Sequence, residues 1–464
     1  MTDENARPDP DEECHPDGDC IPEDFNRYKR EMEEMNKHHA VVNVGADTVV
    51  LNEFFDPLKD RYDVNFATFG AFRNRYLNRR VVNPWRGPSA RKTRDAGGLW
   101  LESMFRREYD RVVFDPTGKC GPKYYNLFRG FAMRPSPQGD WDMLREHILG
   151  IVCRDDENLY AYVMGWMARL LQDPGGNRPG TALVMKGIQG CGKGTVANAL
   201  GRIIGTHYRH ILQPVHLTGR FNTHLKDALL VFCDEVTWGG DKSAEGILKG
   251  LVTEPTITIE AKGKDTLEVD SHVNVIIASN NDWIIPAGLE ERRFCVLDCA
   301  PDVAGDRPYF DSLYRQLENG GYARMMYDLL RWDYSGVDLR TIPRTRGLFD
   351  QILESMTPVH KFWFQILEDG RLLEGEEVWT GPLGVKTDAL YSAFLEFADR
   401  IGETRYRPIP SRFGRMLKQL CPEMERFRPR EGGGNQVPHY AFPDLEQCRE
   451  LFQKAIGIVI DWNE

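Results

Sequence analysis

The chain has 464 residues, of which 41% are hydrophobic and 28% charged, and its formal net charge is −11. This is the composition of a globular protein with room for two to four domains and a core large enough to fold without disulfides. No apolar run reaches the ~18–20 residues of a membrane helix, and the polar start lacks a secretory signal, so we expect a cytoplasmic protein with no membrane contact.

Residues 1–40 are predicted to form an acidic, disordered tail that turns helical toward its end. Residues 1–36 contain 13 acidic and 4 basic side chains, which favours disorder over a packed core. Cys14, His15 and Cys20 make one half of a possible zinc ligand set, but no second half with metal spacing follows nearby. A polar tail without metal is the favoured interpretation, and the other cysteines stand mostly in apolar contexts typical of buried thiols.

Residues 41–172 are predicted to form a mixed, partly helical N-terminal domain. Within it, residues 73–94 hold 8 basic side chains and no acidic ones. On an acidic protein such a patch fits local contact with nucleic-acid phosphates, but it fits solvated surface charge equally well. The apolar spacing from Glu157 to Leu171 predicts a helix, and the Gly/Pro-rich stretch at 173–180 ends it.

Residues 173–300 are predicted to form an α/β core with a parallel sheet, because short apolar strands alternate with helices. The predicted strands are Thr181–Lys186, Leu229–Cys233, Val273–Ala278 and Phe294–Leu297. Ligands bind at the C-terminal ends of the strands in such sheets. The candidate catalytic residues should therefore gather at this edge of the sheet.

A glycine-rich loop, GIQGCGKGT, joins the first strand to a helix that starts near Lys193. Its glycines let backbone amides turn toward an anion, and the helix N-terminus adds a positive end, so we expect it to bind ATP with Lys193 at the β- and γ-phosphates. Because Gly194 replaces the usual hydroxyl after the lysine, the Mg²⁺ contact falls to Thr195, directly or through water. The candidate phosphate-binding residues are Gly187, Gly190, Gly192, Lys193, Gly194 and Thr195.

Polar residues follow the second and third strands. Asp234 and Glu235 end the apolar run LLVFC. We expect Asp234 to bind Mg²⁺, which prefers oxygen ligands, and Glu235 to orient the attacking water. Asn280 is the candidate sensor of the γ-phosphate, with its neighbour Asn281 as the alternative.

Arg292 and Arg293 stand directly before the fourth strand. One of them can act as an arginine finger that stabilises the γ-phosphate charge from a neighbouring subunit. The alternative is a structural ion pair with Glu290 or Glu291. The sequence does not decide which arginine is the finger.

Two stretches, Thr256–Glu260 and Thr266–Asp270, alternate polar and apolar residues at period two. This pattern predicts a β-hairpin with Lys262 and Lys264 at its tip. A doubly basic tip can follow the backbone of single-stranded DNA, although a charged tip also suits an ordinary surface turn.

The C-terminal part is predicted to contain a helical linker, residues 301–385, and a winged-helix-like domain, residues 386–464. Amphipathic spacing predicts helices at Lys386–Ile401 and Ser411–Leu420, with Ser411 as the cap of the second. The polar face of the second helix carries three candidate DNA contacts, Arg412, Arg415 and Lys418. The turn EGGGN at Glu431–Asn435 suits the wing.

The motifs GIQGCGKGT, LLVFCDE, VIIASNNDW and ERRF, together with the hairpin, lie within residues 187–293. They resemble the superfamily 3 helicase core of the AAA+ class, and above all the phage primase-helicases related to the poxvirus-type primase-helicase C-terminal region. The segment YNLFRGF at Tyr125–Phe131 is similar to a pattern of the same phage group. The resemblance therefore covers roughly residues 100–464.

This resemblance implies a homo-hexameric ring with ATP and Mg²⁺ bound between subunits, and hairpin lysines that grip single-stranded DNA in a central channel. It implies Asn280 as sensor and Arg292 or Arg293 as the finger. It also implies phage replication in the cytoplasm of a bacterial host, with a primase or polymerase as a possible partner. The region before the core is too short for a primase of its own, so we expect a helicase without primase activity.

Two other functions use a similar loop. A non-unwinding ATPase, such as a replication loader or scaffold, would share the core and differ only in what its ATPase drives. A nucleotide kinase has a similar GxxGxGKGT loop, but carries it near the N-terminus and adds an arginine-rich lid. Strand displacement on a forked DNA distinguishes the helicase from the scaffold.

Overall fold

The computed structural model describes residues 22–57, 61–84, 92–236, 238, 242–260, 266–288, 290–373, 375, 379, 381–403, 407–431, 435–460 and 462. The possible metal residues Cys14, His15 and Cys20 and the hairpin-tip lysines Lys262 and Lys264 lie outside these ranges, so their roles stay predictions. The chain divides into two compact units. The first comprises residues 1–132 and 260–270, and the second comprises residues 133–259 and 271–464.

The first unit is built on a small mixed sheet whose strands neighbour one another in the order β3 (Arg61–Ala67), β2 (Asp47–Asp56), β1 (His39–Val44) and β6 (Glu108–Tyr109). Strand β1 pairs antiparallel with β2 and parallel with β6. The elements of this unit are α1 (Pro22–Asn36), β1 (His39–Val44), β2 (Asp47–Asp56), β3 (Arg61–Ala67), α2 (Phe69–Arg75), β4 (Arg80–Val82), β5 (Thr93–Asp95), α3 (Ala96–Glu102), β6 (Glu108–Tyr109), β7 (Arg111–Val113), β8 (Tyr124–Asn126) and, within residues 260–270, β13 (Leu267–Asp270).

Helix α1 lies within the predicted tail but belongs to the folded core. Tyr28, Met32 and Met35 are buried in one cluster with Phe72 and Trp100. The spacing of the three α1 residues, four and then three positions, places them on one face of the helix. Residues 22–36 therefore form the helix predicted toward the end of this stretch, but it packs into a folded core instead of belonging to a disordered tail.

The second unit contains the predicted parallel sheet. Its elements are α4 (Asp142–Glu146), a π-helix (His147–Val152), α5 (Glu157–Gln172), β9 (Ala182–Lys186), α6 (Lys193–Ile204), β10 (Tyr208–Ile211), α7 (Val215–Thr218), β11 (Leu230–Asp234), α8 (Lys242–Thr253), β12 (Thr256–Ile259), β14 (Asn274–Ser279), β15 (Phe294–Asp298), α9 (Arg307–Gln316), α10 (Tyr322–Leu329), α11 (Arg346–Ser355), α12 (Pro358–Asp369), β16 (Leu383–Lys386), α13 (Thr387–Arg400), α14 (Pro410–Leu420), β17 (Glu425–Phe427), β18 (Arg430–Glu431), β19 (Asn435–Gln436), β20 (His439–Phe442) and α15 (Leu445–Ile456). Short 3-10 helices span Gly205–His207 and Thr223–Leu225, and a second π-helical segment spans Leu317–Gly321.

Five strands form the sheet in the order β10-β11-β14-β9-β15, and every neighbouring pair is parallel. The residues of β14 are all buried, and four of the five residues in each of β9, β11 and β15 are buried. This matches the continuous apolar runs of the four predicted strands, which a sheet covered on both faces requires. Strand β10 was not predicted, because His210 and Arg209 interrupt its apolar pattern.

Helix α5 packs on this sheet, so the chain does not divide at residue 172 as predicted. The hydroxyl of Tyr162 donates to the Thr181 hydroxyl at 3.0 Å, and the Trp166 indole donates to the Thr181 carbonyl at 3.2 Å. Thr181 stands directly before β9. The Gly/Pro-rich stretch at 173–180 is therefore a connection within one unit and not a boundary between two.

The C-terminal residues form a three-stranded antiparallel sheet, in the order β16-β20-β17, with helices α13, α14 and α15. Both predicted amphipathic helices are present, as α13 and α14. Helix α14 starts one residue earlier than predicted, because Pro410 occupies its first turn, and Ser411 is therefore not its cap. Strands β18 and β19 pair on either side of residues 432–434, where the predicted turn lies outside the described residues.

Candidate functional site

The glycine-rich loop and the polar residues after β11 and β14 meet at one edge of the parallel sheet. Lys186, the last residue of β9, stands opposite Ser279 of β14 in the sheet register, and Asp234 of β11 stands opposite Ala278. The Gly187 amide donates to the Ser279 carbonyl at 3.3 Å. Strand β9 also lies where the sheet order reverses between β14 and β15, the kind of switch point at which such sheets bind ligands.

The loop has a conformation that only glycines adopt without strain. Gly190 and Gly192 have φ angles of +83° and +90°, and Gly192 is the cap of α6. The Lys193 ammonium donates to the carbonyls of Gly187 and Ile188, at 2.7 and 2.8 Å, and so lies inside the loop. A cation held within a loop at a helix N-terminus makes a binding place for phosphates.

Gly194 and Thr195 face different elements. A Cβ added at Gly194 would lie 3.6 Å from the Phe232 ring on β11, the strand that ends at Asp234. The buried Thr195 hydroxyl instead lies 3.2 Å from the Tyr314 hydroxyl on α9. Gly194, which faces the strand that ends at Asp234, therefore has no hydroxyl to offer, whereas the hydroxyl of Thr195 faces α9.

Asp234 and Glu235 have distinct surroundings. His210 on β10 places its Nε2 3.3 Å from a carboxylate oxygen of Asp234, and its ring stacks on Phe232 with centroids 5.0 Å apart. Glu235 is exposed and has a φ of 54°, a conformation that is unusual outside glycine. Its amide donates to the Ala278 carbonyl at 2.9 Å, which fixes this turn beside β14. Strained residues of this kind concentrate at functional sites.

Asn280 and Asn281 follow β14 at the same edge of the sheet. Both side chains are exposed, and the Asn281 amide donates to the Ser279 hydroxyl at 3.2 Å. The structure therefore brings together the loop, Asp234, Glu235 and the candidate sensor, as the sequence predicts. It leaves both asparagines free to face a ligand.

Arg292 and Arg293 lie at the opposite edge of the sheet, where the parallel strands begin. They precede β15, and the Arg293 carbonyl accepts from the amide of Ala182, the first residue of β9. The length of a five-residue strand, about 17 Å, separates this edge from the loop, which is more than an arginine side chain spans. Neither arginine reaches the phosphate loop of its own chain.

The two arginines also differ in their contacts. Glu291 is buried, accepts the backbone amides of both arginines, and lies 3.9 Å from the Arg293 guanidinium. Arg292 is exposed, and among the described residues its guanidinium has no ion-pair partner. The structural ion pair that the sequence left open therefore involves Arg293, and Arg292 is the arginine available to another molecule.

His147 contacts the loop, although nothing in the sequence singles it out. It belongs to the π-helix, a rare element that often occurs at functional sites. Its Nε2 lies 3.3 Å from the Gly192 carbonyl and its Nδ1 lies 3.1 Å from the Tyr309 hydroxyl. Burial lowers the pKa of His147. In the sequence His147 is 45 residues away from Gly192, and no local pattern connects them.

Cys191 departs from the prediction of inert buried thiols. It lies within the loop, and a hydrogen bond from Cys299 and the charge of Lys193 lower its pKa. A Cβ at Gly187 would lie 3.0 Å from the Cys191 sulfur and 3.1 Å from the Cys299 Cβ, so the loop can pack there only with glycine. The side chains of Cys191 and Cys299 thus pack against Gly187 at the start of the loop.

A second feature that the sequence analysis missed is an apolar segment between β10 and β11. Leu212, Val215 and Phe221 expose 66%, 59% and 56% of their surfaces, although each is large and apolar. The Asn222 amide donates to the Thr258 carbonyl of β12 at 2.9 Å, which ties this segment to the strand before the predicted hairpin tip. Three exposed apolar residues close together indicate a contact surface.

Helix α14 presents its three candidate DNA contacts on one side. Arg412, Arg415 and Lys418 are exposed, while Phe413, Leu417 and Leu420 are buried. The Lys418 ammonium donates to the Met424 carbonyl within the chain. Arg412 and Arg415 are the two arginines of this set that face solvent. Arg415 and Lys418 also line a cavity of about 730 Å³ that includes Tyr391, Arg426 and Tyr440.

The basic patch at residues 73–94, in the first unit, is partly neutralised. Arg79 pairs with Glu31, and Arg94 makes two hydrogen bonds of 2.8 Å to Glu102. Arg73 and Arg75 are exposed. Arg79 and Arg94 therefore act within their own unit, which favours the solvated-surface interpretation for these two residues.

Comparisons with known proteins match the stretch that carries the motifs. Residues 185–293 match the model of a family of unknown function, DUF5906. The chain is 27% identical over 271 residues to a DNA primase-polymerase of Nitratiruptor phage NrS-1, covering 55% of this chain and 36% of the length of that relative. The chain is therefore related to a phage replication protein, of which it spans only a part.

Solved structures of the NrS-1 C-terminal region share the fold. The apo structure of residues 305–718 matches with a TM-score of 0.58 and 17% identity, over 85% of this chain and 96% of that one. A further apo structure of that region, in its A form, matches with the same TM-score of 0.58. In the part of the chain that the structure describes, no helix is long and apolar enough to cross a membrane.

Proposed function

We propose that this chain is an ATP-dependent DNA helicase of the superfamily 3 ring type that moves along single-stranded DNA during phage replication. The observation that carries the proposal is the division of the site between two edges of one sheet. Lys193, Asp234, Glu235 and Asn280 gather at one edge, and the exposed Arg292 lies at the other. Such a site is complete only when a second copy supplies the arginine.

In the proposed site, ATP phosphates contact the loop amides and the Lys193 ammonium. Asp234 holds Mg²⁺, with Thr195 acting through a water because its hydroxyl lies against Tyr314. Mg²⁺ needs only one or two carboxylates when substrate phosphates complete its shell, so a site with Asp234 as its protein carboxylate fits it. When bound, this cation neutralises phosphate charge during transfer.

Hydrolysis then depends on residues of two chains. The exposed Glu235 carboxylate orients the water that attacks the γ-phosphate, and Asn280 contacts that phosphate. Arg292 of the neighbouring copy stabilises the charge that develops on the leaving phosphates. This assigns to Arg292 the finger role that the sequence shared between two residues, and to Arg293 a structural one.

DNA binding is proposed for three places. Lys262 and Lys264 contact the single strand at the hairpin tip, and the exposed Phe221 lies in a segment tied to the hairpin base. Arg412 and Arg415 of α14, with Lys418 beside them, contact phosphates through a winged-helix-like domain. The exposed aromatic suits base stacking, which every base permits.

The proposed partners follow from relatedness to a DNA primase-polymerase. We propose a homo-oligomer, a hexamer by the family resemblance, that works with a primase or polymerase. A non-unwinding loader or scaffold remains the second candidate, because relatives can share this core and differ in output. A nucleotide kinase fits less well, since its site is complete in one chain, whereas Arg292 lies at the other end of the strands from the loop in this one.

The test is the ATPase rate with and without single-stranded DNA, for the wild type, Glu235→Gln and the double variant Lys262→Ala/Lys264→Ala. We expect DNA to stimulate the wild type, Glu235→Gln to be inactive, and the double variant to keep basal but lose stimulated turnover. Strand displacement on a forked DNA then separates helicase from loader. A wild type that DNA leaves unchanged, with a double variant that matches it, would exclude the translocating motor.

A further inference from the structure

Helix α11 holds the loop that follows the sensor strand β14. The Gln351 side chain is fully buried, and its Oε1 accepts the amides of Ile284 and Ile285 at 2.7 and 3.2 Å. Its Nε2 donates to the carbonyl of Asp282 at 2.5 Å. All three partners are backbone groups, so this one side chain fixes the path of the loop.

Ser355 holds the same loop one helical turn later. Its hydroxyl oxygen accepts the Trp283 indole N–H and the Ala287 amide, each at 3.0 Å. Residues four positions apart lie on one face of a helix, so Gln351 and Ser355 together bind residues 282–287 along one side of α11. Several side-chain hydrogen bonds to the backbone of one loop favour a single geometry for that loop.

Helix α11 is itself fastened to the sheet that carries the site. The Thr345 hydroxyl at its start donates to the Val296 carbonyl of β15 at 2.6 Å. Lys186, the residue before the phosphate loop, lies 3.1 Å from Asp282 and 3.9 Å from Asp350 of α11. The loop after β14 is therefore held between the end of β9 and α11.

We infer that Gln351, assisted by Ser355, is a positioning residue for the γ-phosphate sensor Asn280. This rests on the proposed function, since it assigns a support to the same ATP site. Asn280 is exposed and stands two residues before Asp282, whose carbonyl Gln351 holds. An amide that must meet one phosphate oxygen tolerates little displacement, because a shift of about 1 Å can lower turnover by about a hundredfold.

The experiment compares Gln351→Met and Ser355→Ala with the matched control Gln453→Met. Methionine conserves volume and removes the amide contacts. Gln453 accepts the Ile460 amide at 2.6 Å on α15, so its loss removes a comparable contact far along the chain from the sensor loop. The readouts are thermal unfolding, the affinities for ADP and a non-hydrolysable ATP analogue, and turnover.

We expect Gln351→Met to keep the ADP affinity of the wild type, to lose about tenfold or more of its preference for the triphosphate analogue, and to turn over about tenfold or more slowly. Ser355→Ala should change in the same direction by a smaller factor. Gln453→Met should lower the melting temperature alone. If Gln351→Met does not fold, the triphosphate preference and the turnover of Ser355→Ala test the positioning role instead.

Two failures are distinguishable. Wild-type turnover and wild-type preference for the triphosphate in both α11 variants would overturn the positioning role while leaving the ATPase intact. A wild type that neither hydrolyses ATP nor prefers the triphosphate analogue would overturn the proposed function, and the positioning role with it.

Discussion

The hydroxyl of Thr195 lies 3.2 Å from the hydroxyl of Tyr314 on α9, while its neighbour Gly194 faces Phe232 on β11. These adjacent positions therefore face different elements of the fold. Thr195, which faces α9, carries the hydroxyl, and Gly194, which faces β11, has no side chain. The usual phosphate loop has a hydroxyl directly after its lysine, so this loop differs from it in geometry as well as in sequence.

We predict that Gly194→Ser lowers the Mg²⁺ concentration needed for half-maximal ATP hydrolysis. A Cβ at this position meets Asn198 Nδ2 at 3.4 Å and the Phe232 ring at 3.6 Å, which are ordinary contacts, so serine fits. A direct hydroxyl ligand should strengthen Mg²⁺ binding by about tenfold, as one added contact of about 1.4 kcal/mol does. Mg²⁺ titrations of the ATPase at fixed ATP measure this.

Thr195→Val is the control for this prediction. Valine keeps the shape of threonine and removes the hydroxyl that contacts Tyr314. Since that hydroxyl acts at most through a water, the Mg²⁺ requirement should change by less than about threefold. A rise of about tenfold or more would show that Thr195 binds the cation directly and that the loop rearranges when ATP binds.

We predict that Gly192→Ala destabilises the protein and abolishes nucleotide binding. Gly192 has a φ of +90°, and an added Cβ would lie 2.5 Å from the His147 ring. The backbone conformation alone costs an alanine about 1–2 kcal/mol, and the contact with His147 adds to it. Thermal unfolding and fluorescent-nucleotide titration measure the two effects.

Gly194→Ala is the matched variant in the same loop. Its φ is not in the left-handed region, and its nearest contact, at 3.4 Å, is ordinary. As a helix residue it should gain rather than lose stability, by up to about 1 kcal/mol. Equal melting temperatures for the two alanine variants would contradict the packing of His147 against the loop.

The sequence predicts the edge of the sheet that carries the candidate site because its signals are local. Apolar runs define β9, β11, β14 and β15, and the residues that follow each of the first three necessarily meet when the strands are parallel. The contacts that hold those residues in place are not local. Gln351 is separated by 67 residues from Ile284, and in the sequence it is one polar residue of an ordinary amphipathic helix.

The same reasoning explains why the sequence predicts the helix near the N-terminus but not its packing into the core. Composition averages over a window, and the acidic residues of 1–36 outweigh the apolar ones. The spacing of Tyr28, Met32 and Met35 carries the information instead, because it gives one face of α1 a complete apolar stripe. Periodicity within a charged segment therefore indicates folding where the average indicates disorder.

We predict that the stability of the first unit falls as the pH is lowered from 6.5 toward 4, because of His39. Burial lowers the pKa of His39 from 6.5 to about 4. In the unfolded chain the ring gains its proton as the pH falls through 6.5, while the folded chain does not, so protons favour unfolding. At pH 5.5 the loss is about 1 kcal/mol, and above pH 7 it disappears.

Unfolding curves of the wild type and His39→Gln between pH 7.5 and 5 measure this effect. Glutamine does not titrate and can still hydrogen-bond to the Tyr76 hydroxyl, which lies 2.6 Å from the His39 ring. The variant should be less stable at pH 7.5 but should lose less stability on acidification. Parallel curves for the two proteins would show that His39 is not buried as the structure describes.

We predict that Arg292→Ala and Glu235→Gln are each inactive alone and regain ATPase activity when mixed. Removal of an arginine finger lowers turnover by about a thousandfold or more, and loss of the water-orienting carboxylate is comparably severe. Arg292 and the phosphate loop lie at opposite edges of the sheet, so a mixed oligomer contains some sites with an intact Glu235 from one copy and an intact Arg292 from its neighbour.

Arg293→Ala is the control, since its guanidinium lies near the buried Glu291 within its own chain. It should lower the melting temperature, and mixing it with Glu235→Gln should restore nothing beyond its own residual activity. If instead Arg292→Ala stays fully active, or if the inactive pair fails to complement while forming mixed oligomers, the ATP site is not shared between copies. In that case Arg292 would have to reach the loop of its own chain, which requires β15 to move relative to the loop.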